Sequence, residues 1–222
     1  MAWRGVRLAV LLIIAGVLAT LVVWSAPWRE PLGGGPAPRN PDVARVEQYR
    51  REGNLEALAG ESENPRAEVA MRAVQAMGSL GPAAVPHLER RIADARPEVR
   101  EAAVVAWGRA AGELVPEAVA VAAAARTDPS VVVRATAVSV LGHCKAWRHG
   151  DVLIDAMEDP DPAVRARAAA AFREITGGGF DESLGAAPDS SQAVRELRAL
   201  WPGMRENLEA YYNRCKDAKG SP

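Results

Sequence analysis

Apolar residues recur in one pattern four times between Asn64 and Gly177. When Asn64, Asp94, Asp128 and Asp159 are taken as starting points, the copies lie 30, 34 and 31 residues apart. Apolar residues then follow at the fifth, ninth, tenth, thirteenth and sixteenth positions, and spacings of three or four place them along one side of an α-helix. A period of this length indicates stacked structural repeats.

Three columns of the pattern are especially regular. The fifth position is always Val, the ninth is always the small Ala, and the thirteenth is always bulky. In order, these columns are Val69, Val99, Val133 and Val164; Ala73, Ala103, Ala137 and Ala168; and Met77, Trp107, Leu141 and Phe172. We expect the Ala column to let helices approach closely and the bulky column to fill the remaining space. The next residue is Gly78, Gly108 or Gly142 in three copies and Arg173 in the fourth.

Each copy is predicted to form a helix, a turn and a second helix. The Asn or Asp at its start can cap the first helix, and in three copies Pro follows, where a missing amide does no harm. A shorter apolar segment comes after the Gly column and predicts the second helix. Its inward residues are expected to be Val85, Leu88 and Ile92; then Val115, Val119 and Ala122; then Val152, Ile154 and Met157.

A single hairpin of this kind cannot bury its apolar side, so the units must stack. The sequence therefore predicts an all-α fold, an α-solenoid of about five stacked hairpins. The segments D-x-R-P-E-V-R from Asp94, D-P-S-V-V-V-R from Asp128 and D-P-D-P-A-V-R from Asp159 resemble short HEAT repeats, of the kind also found in phycobilisome lyases. In this respect the chain is similar to bacterial HEAT repeat proteins.

The resemblance implies a ladder of Asp and Arg side chains between the units. Its Asp and Arg columns are matched by Asp94 with Arg100, by Asp128 with Arg134 and by Asp159 with Arg165. The first copy departs from the pattern because Ala70 stands at the Arg position. Because these pairs repeat at one column, they indicate structure rather than acid and base catalysis.

The repeats, residues 64–177, are predicted to lie between two capping elements. Residues 42–63 contain a shortened pair of helical segments and are interpreted as an atypical first unit, since an end unit must show one face to water. Residues 178–222 are predicted to form a loop and C-terminal capping helices. Pro202 is expected to break the first of these, after the apolar residues Val194, Leu197 and Trp201.

The first 41 residues predict a membrane anchor and a tether. Residues 8–26 carry no charge, and a helix of this length spans about 28 Å, close to the ~30 Å hydrocarbon layer. Arg4 and Arg7 precede this segment, which places residues 1–7 in the cytoplasm and the repeats outside it. The Pro- and Gly-rich residues 27–41 are predicted to be a linker. The alternative is a signal peptide cleaved after Ser25, which would give a soluble periplasmic protein.

Charge and side-chain chemistry narrow the function. A formal charge of −1 gives no excess of basic residues for a nucleic acid. The only cluster of metal-ligand residue types is His143, Cys144 and His149, and a metal site needs three or four converging groups. Cys144 falls in the sixteenth, apolar column and is expected to point into the core, so we expect no metal site. Because Cys144 and Cys215 both fall on apolar stripes, buried thiols are favoured, although a disulfide stays open. We expect no cofactor, no small-molecule substrate and no enzyme activity, with a lyase-type HEAT-like enzyme as an alternative.

The prediction that remains is a scaffold that binds another protein. In solenoids of the family that this chain resembles, second helices line the concave side, which implies a binding surface here. Its candidate residues are His87, Arg90, Arg91, Glu117 and Asp155. A purely structural envelope component is a third hypothesis, and it would show no distinctive surface.

Overall fold

A computed structural model describes residues 40–112, 118–177 and 191–220, with side chains for all of these except Ser191 and residues 215–220. In these residues there are ten α-helices and no strand, so the predicted all-α fold is confirmed. The helices are α1 (Pro41–Glu52), α2 (Leu55–Glu61), α3 (Ala67–Met77), α4 (Val85–Ile92), α5 (Pro97–Ala111), α6 (Val119–Thr127), α7 (Val131–His143), α8 (Gly150–Ala156), α9 (Pro162–Thr176) and α10 (Ser191–Gly220).

The ten helices pair into five hairpins that stack in two layers. The odd-numbered helices form a first-helix layer, in which α3 packs on α1 and α5, and α7 packs on α5 and α9. The even-numbered helices form a second-helix layer, in which α4 packs on α6, α6 on α8, and α8 on α10. Each second helix from α4 to α8 also packs on the first helix of the next unit. This arrangement is consistent with an α-solenoid of five units.

The recurring columns form the core between the hairpins. All four Val and all four Ala side chains are fully buried, and the bulky residues are at most 2% exposed. One expectation for the second helices is wrong, because Val119 is 70% exposed. Ala122 is buried as expected, Val115 lies outside the described residues, and Ala118 and Val121 are buried in place of Val119, at which α6 begins.

The Gly column makes the closest contacts between first helices. A Cβ atom on Gly78 would lie 2.9 Å from the Cα of Ala106, and one on Gly142 would lie 2.7 Å from the Cα of Ala171. Real Cβ atoms do not approach so closely, so Gly is needed at these two positions, while at Gly108 a Cβ atom would instead meet the side chain of Val140 at 2.9 Å. No further first helix follows α9 among the residues that the structure describes, and there Arg173 occupies the same column.

The Asn and Asp at the start of each copy do not cap the helices, contrary to the sequence prediction. Each helix begins three residues later, and the side chain accepts from the backbone amide two residues on, at 3.0 Å for Asp94 and 2.8 Å for Asp128 and Asp159. Such turns are a common alternative to capping for Asn and Asp. They hold the backbone carbonyls of each turn where an Arg side chain can reach them.

A ladder of Arg side chains uses these carbonyls to join consecutive units. Arg100 donates to both carboxylate oxygens of Asp128 at 2.7 and 2.8 Å, and to the backbone carbonyl of Asp94 at 2.9 Å. Arg134 repeats the arrangement with Asp159 and with the carbonyl of Asp128. The ladder is therefore present. Within a unit, the Arg side chain donates to the backbone carbonyl of the Asp six residues before it. Its ion pair is made with the Asp carboxylate of the next unit.

The first step of the ladder is built differently because Ala70 replaces its Arg. Arg96 donates to the carboxylate of Asp94 in its own unit at 2.9 and 3.1 Å, and reaches back to the carbonyl of Asn64 at 2.9 Å. Here the Arg of the second unit reaches back to a carbonyl of the first unit, whereas in the later steps the Arg reaches forward to the carboxylate of the next unit. The two units are joined in either case.

Helix α10 occupies the second-helix position of the fifth hairpin. It runs unbroken through Pro202, so the expected break and the plural capping helices are wrong for the residues described. Trp201 explains how the helix is held, since its ring lies 5.4 Å from that of Phe172 and fills the space above Gly150. Tyr212 adds a hydrogen bond of 3.1 Å to the carbonyl of Ile175.

None of the helices in the described part of the chain combines the length and the apolar character that crossing a bilayer requires. The predicted anchor at residues 8–26, residues 1–7 and residues 27–39 of the linker lie outside that part.

Two Gly to Ala substitutions test the packing of the layers. Gly142→Ala would press a methyl group into the backbone of α9, so we expect a loss of about 1–3 kcal/mol in the free energy of unfolding. Gly60→Ala lies in a helix with nothing within 4 Å of the new atom, so we expect a gain of up to about 1 kcal/mol. Urea unfolding followed by circular dichroism measures both, and equal effects would contradict the packing described.

The ladder predicts a dependence of stability on pH. Burial alone would raise the pKa of Asp128, but the hydrogen bonds from Arg100 and from the amide of Ser130 bring that pKa below its ordinary value. The hydrogen bond from Arg134 lowers the pKa of Asp159. The unfolded chain therefore binds protons first, at its ordinary pKa of about 4. The stabilisation is complete above that pH and is lost as the pH falls through the lowered pKa values.

We expect Asp128→Asn to lower the free energy of unfolding at neutral pH by about 1.5–3 kcal/mol, because hydrogen bonds to a charged group are lost. Its stability should also fall less steeply with acid than that of the unchanged chain. Asp151→Asn is the matched control, since Asp151 pairs with Arg126 at an exposed position and should cost at most about 1 kcal/mol. Urea midpoints measured from neutral pH to pH 2 would show an equal loss in both variants if the ladder were unimportant.

Candidate groove between the second helices

A groove of about 270 Å³ separates α2 from α4, at the point where the second-helix layer is interrupted. The side chains of α2 are small here, since Ala59 and Gly60 face the groove and nothing lies within 4 Å of a Cβ atom placed on Gly60. Helix α2 is also short, at 7 residues. The groove is lined by Glu56, Ala59, Gly60, Ser62, Glu63, His87, Arg90 and Arg91.

Three of the five predicted binding residues come together in this groove. His87, Arg90 and Arg91 all lie on α4, where spacings of three and four residues bring His87 next to the two Arg side chains. Val85, Leu88 and Ile92 occupy the other side of the helix, where Leu88 and Ile92 are buried and Val85 packs against the core. The amphipathic pattern of α4 therefore directs these three polar side chains into the groove.

The two neighbouring Arg residues of the groove differ in their partners. Arg91 is held within the protein, with Glu63 at 3.4 Å and Asp94 at 3.6 Å. Arg90 is exposed and makes no ion pair with any residue that the structure describes. On the opposite wall, Glu56 is likewise exposed and without an ion pair among the described residues. One positive and one negative charge thus face the groove without being neutralised.

The other two predicted residues are not brought to the groove. Asp155 lies on α8, where Arg198 donates to its carboxylate at 3.0 Å and Arg126 lies 3.5 Å from it. Arg198 also donates to Glu158, so α6, α8 and α10 are linked by ion pairs across this part of the layer. Glu117 lies outside the described residues. The second-helix layer is therefore closed at its C-terminal end and open at its N-terminal end.

The wall formed by α2 was absent from the sequence prediction. The sequence predicts residues 42–63 to be an atypical first unit that shows one face to water, and it predicts no groove beside it. The signal that could have found Glu56 and Gly60 is the shortness of the second segment, which ends at Glu61 after 7 residues. Such a segment cannot fill the space beside α4.

The residues considered for a metal site do not converge with other ligands. His143 is exposed, while Cys144 is buried with its Sγ atom 3.8 Å from the carbonyl of Gly108. His149 accepts a hydrogen bond of 3.1 Å from the amide of Ala118 through Nε2. No group of three or more His, Cys, Asp and Glu that could hold a metal ion occurs in the part of the chain that the structure describes. The side chain of Cys215 lies outside it, so pairing with Cys144 stays an open prediction.

A comparison with protein families gives a match for part of the chain. Residues 118–201 match the family model described as HEAT repeats. The matched stretch extends from the start of α6 to Trp201 on α10, so it includes the second helix of the copy that begins at Asp94, whereas the copy that begins at Asn64 precedes it. This match supports the identification of a HEAT repeat protein. No curated protein matches the chain.

HEAT repeats generally act as scaffolds for protein interactions, and the family is typically non-catalytic. The match thus supports a protein partner in general and leaves its identity open.

Proposed function

We propose that this HEAT repeat protein is a non-catalytic scaffold that binds another protein through the groove between α2 and α4. The observation that supports this proposal most directly is the interruption of the second-helix layer at that point. From α4 to α10, consecutive second helices pack on one another, and ion pairs of Arg126 and Arg198 link α6, α8 and α10. In the part of the chain that the structure describes, the groove combines open space with two exposed charges, those of Arg90 and Glu56, that make no ion pair.

We further propose that residues 8–26 anchor the protein in a membrane and that residues 27–39 act as a tether, since Asn40 caps α1 and Pro41 begins it. The support is the length of the uncharged segment and the placement of Arg4 and Arg7 before it. On this proposal the repeats lie outside the cytoplasm, and the partner is another protein at the same membrane surface or beyond it.

Filling the groove should abolish binding without disturbing the fold. In Gly60→Met the new side chain occupies the groove, since Gly60 is helical and open there. Gly203→Met is the matched control, because Gly203 is also helical and has nothing within 4 Å of a Cβ atom. We expect crosslinking in intact membranes to capture the same partner with the unchanged chain and with Gly203→Met, and to lose it with Gly60→Met.

The interpretation of this experiment depends on both variants remaining folded, which circular dichroism and the urea midpoint would establish. Capture of one partner by all three chains would place the contact elsewhere on the protein and contradict the groove proposal. Recovery of only the chain itself would indicate self-association in place of a scaffold for another protein.

The proposed topology predicts that protease added to intact cells removes the repeats while the cytoplasmic N-terminus survives. An epitope placed before Arg4 and another after Pro222 would report the two ends separately by immunoblotting. Full protection of the C-terminal epitope would reverse the orientation. A mature chain that begins at Ala26 would favour the cleaved signal peptide.

A further inference from the structure

We infer that the groove takes a segment of the partner protein that presents an acidic side chain to Arg90 and a basic side chain to Glu56. This inference rests on the proposed function, and it adds the chemistry by which the partner is recognised. Arg90 and Glu56 stand on opposite walls, one on α4 and one on α2, and they do not pair with each other. The groove therefore has a positive wall and a negative wall.

The contrast between Arg90 and Arg91 carries the argument. Both lie in the last turn of α4, where a positive charge is favourable next to the carbonyl end of a helix. Arg91 is only 19% exposed and its charge is matched by Glu63 and Asp94. Arg90 has the same helical setting and no such match. A carboxylate supplied by a partner protein could bind this guanidinium through two parallel hydrogen bonds.

The size of the groove favours side chains of a peptide segment over a separate small molecule. Its volume of about 270 Å³ lies just below the range of about 300–1,000 Å³ that is common for small-molecule sites. It is open, and polar groups dominate its lining, whereas small-molecule sites are usually concave and apolar. One or two side chains of a partner would fill it.

The two walls also fix the direction in which the segment enters. A segment placed the other way round would bring its acidic side chain to Glu56 and its basic side chain to Arg90. Like charges would then face each other, and such contacts are strongly unfavourable in an interface. We therefore expect the groove to discriminate between the two orders of charge. We also expect binding to weaken as the salt concentration rises, because salt screens the charges of the two walls.

The experiment is a selection of short random peptides on the immobilised full-length chain, followed by affinity measurements for the enriched peptides. We expect these peptides to carry at least one acidic and one basic residue. Their affinity should fall about tenfold or more with Arg90→Glu, because a hydrogen-bonded charge is lost and repulsion replaces it. Glu56→Gln should weaken it less. Arg167→Glu, the same change on the first-helix layer, should leave it unchanged.

Gly60→Met separates failure of this inference from failure of the proposed function. Enriched peptides that are lost with Gly60→Met but are indifferent to Arg90→Glu would overturn the charge recognition and leave the groove as the contact. Peptides that are indifferent to both changes would contradict the groove itself. The absence of any enriched peptide would show that the groove does not bind a short segment, which overturns the inference, while capture of the partner by crosslinking would still support the scaffold.

Discussion

A helical hairpin with one apolar side has no stable structure in water until other hairpins cover that side. This constraint explains why the same columns recur from Asn64 onward and why a solenoid of this kind needs end units that differ from the rest. In the structure the Val, Ala and bulky columns are buried between consecutive hairpins. Stacking is thus a condition for each unit to fold, and each departure from the repeat reflects a change in what covers that unit.

The departures at the two ends can be understood in these terms. Arg173 replaces Gly on α9, after which the described residues contain no further first helix, so the close contact made at Gly78 and Gly142 has no counterpart among them. Ala70 replaces Arg where the first unit meets the second, and Arg96 makes the connection in the opposite sense. Helix α10 closes the C-terminal end with Trp201, whereas α2 leaves a gap beside α4. That gap is the candidate site, and it exists because the first unit is shorter than the others.

Much of the fold could be predicted from the sequence because apolar spacing reports which side of a helix is buried. The five hairpins, the buried columns and the Arg ladder follow from it and from the resemblance to HEAT repeats. The sequence predicts helix starts three residues too early, because an Asp side chain can accept a hydrogen bond from a backbone amide in a turn as well as from one at a helix N-terminus. The continuation of α10 through Pro202 was also missed, since the packing of Trp201 against Phe172 is a tertiary contact that local sequence does not reveal.

The candidate site was only partly predictable. His87, Arg90 and Arg91 were found because they lie on the polar side of a second helix, and the structure brings them together. Asp155 satisfied the same rule, but Arg126 and Arg198 neutralise it. Glu56 and Gly60 escaped notice because a groove depends on the distance between two helices, which apolar periodicity does not encode. For the same reason, the sequence does not distinguish a solvated charge from one that faces a groove.

The most direct test of the stacked arrangement is the measurement of nuclear Overhauser contacts across the Gly column. The account predicts contacts between the α-protons of Gly78 and the methyl group of Ala106, and between those of Gly142 and the methyl group of Ala171, because these backbones touch. A folded, helical protein in which neither pair gave a contact would show that the recurring columns are not the places where consecutive hairpins meet.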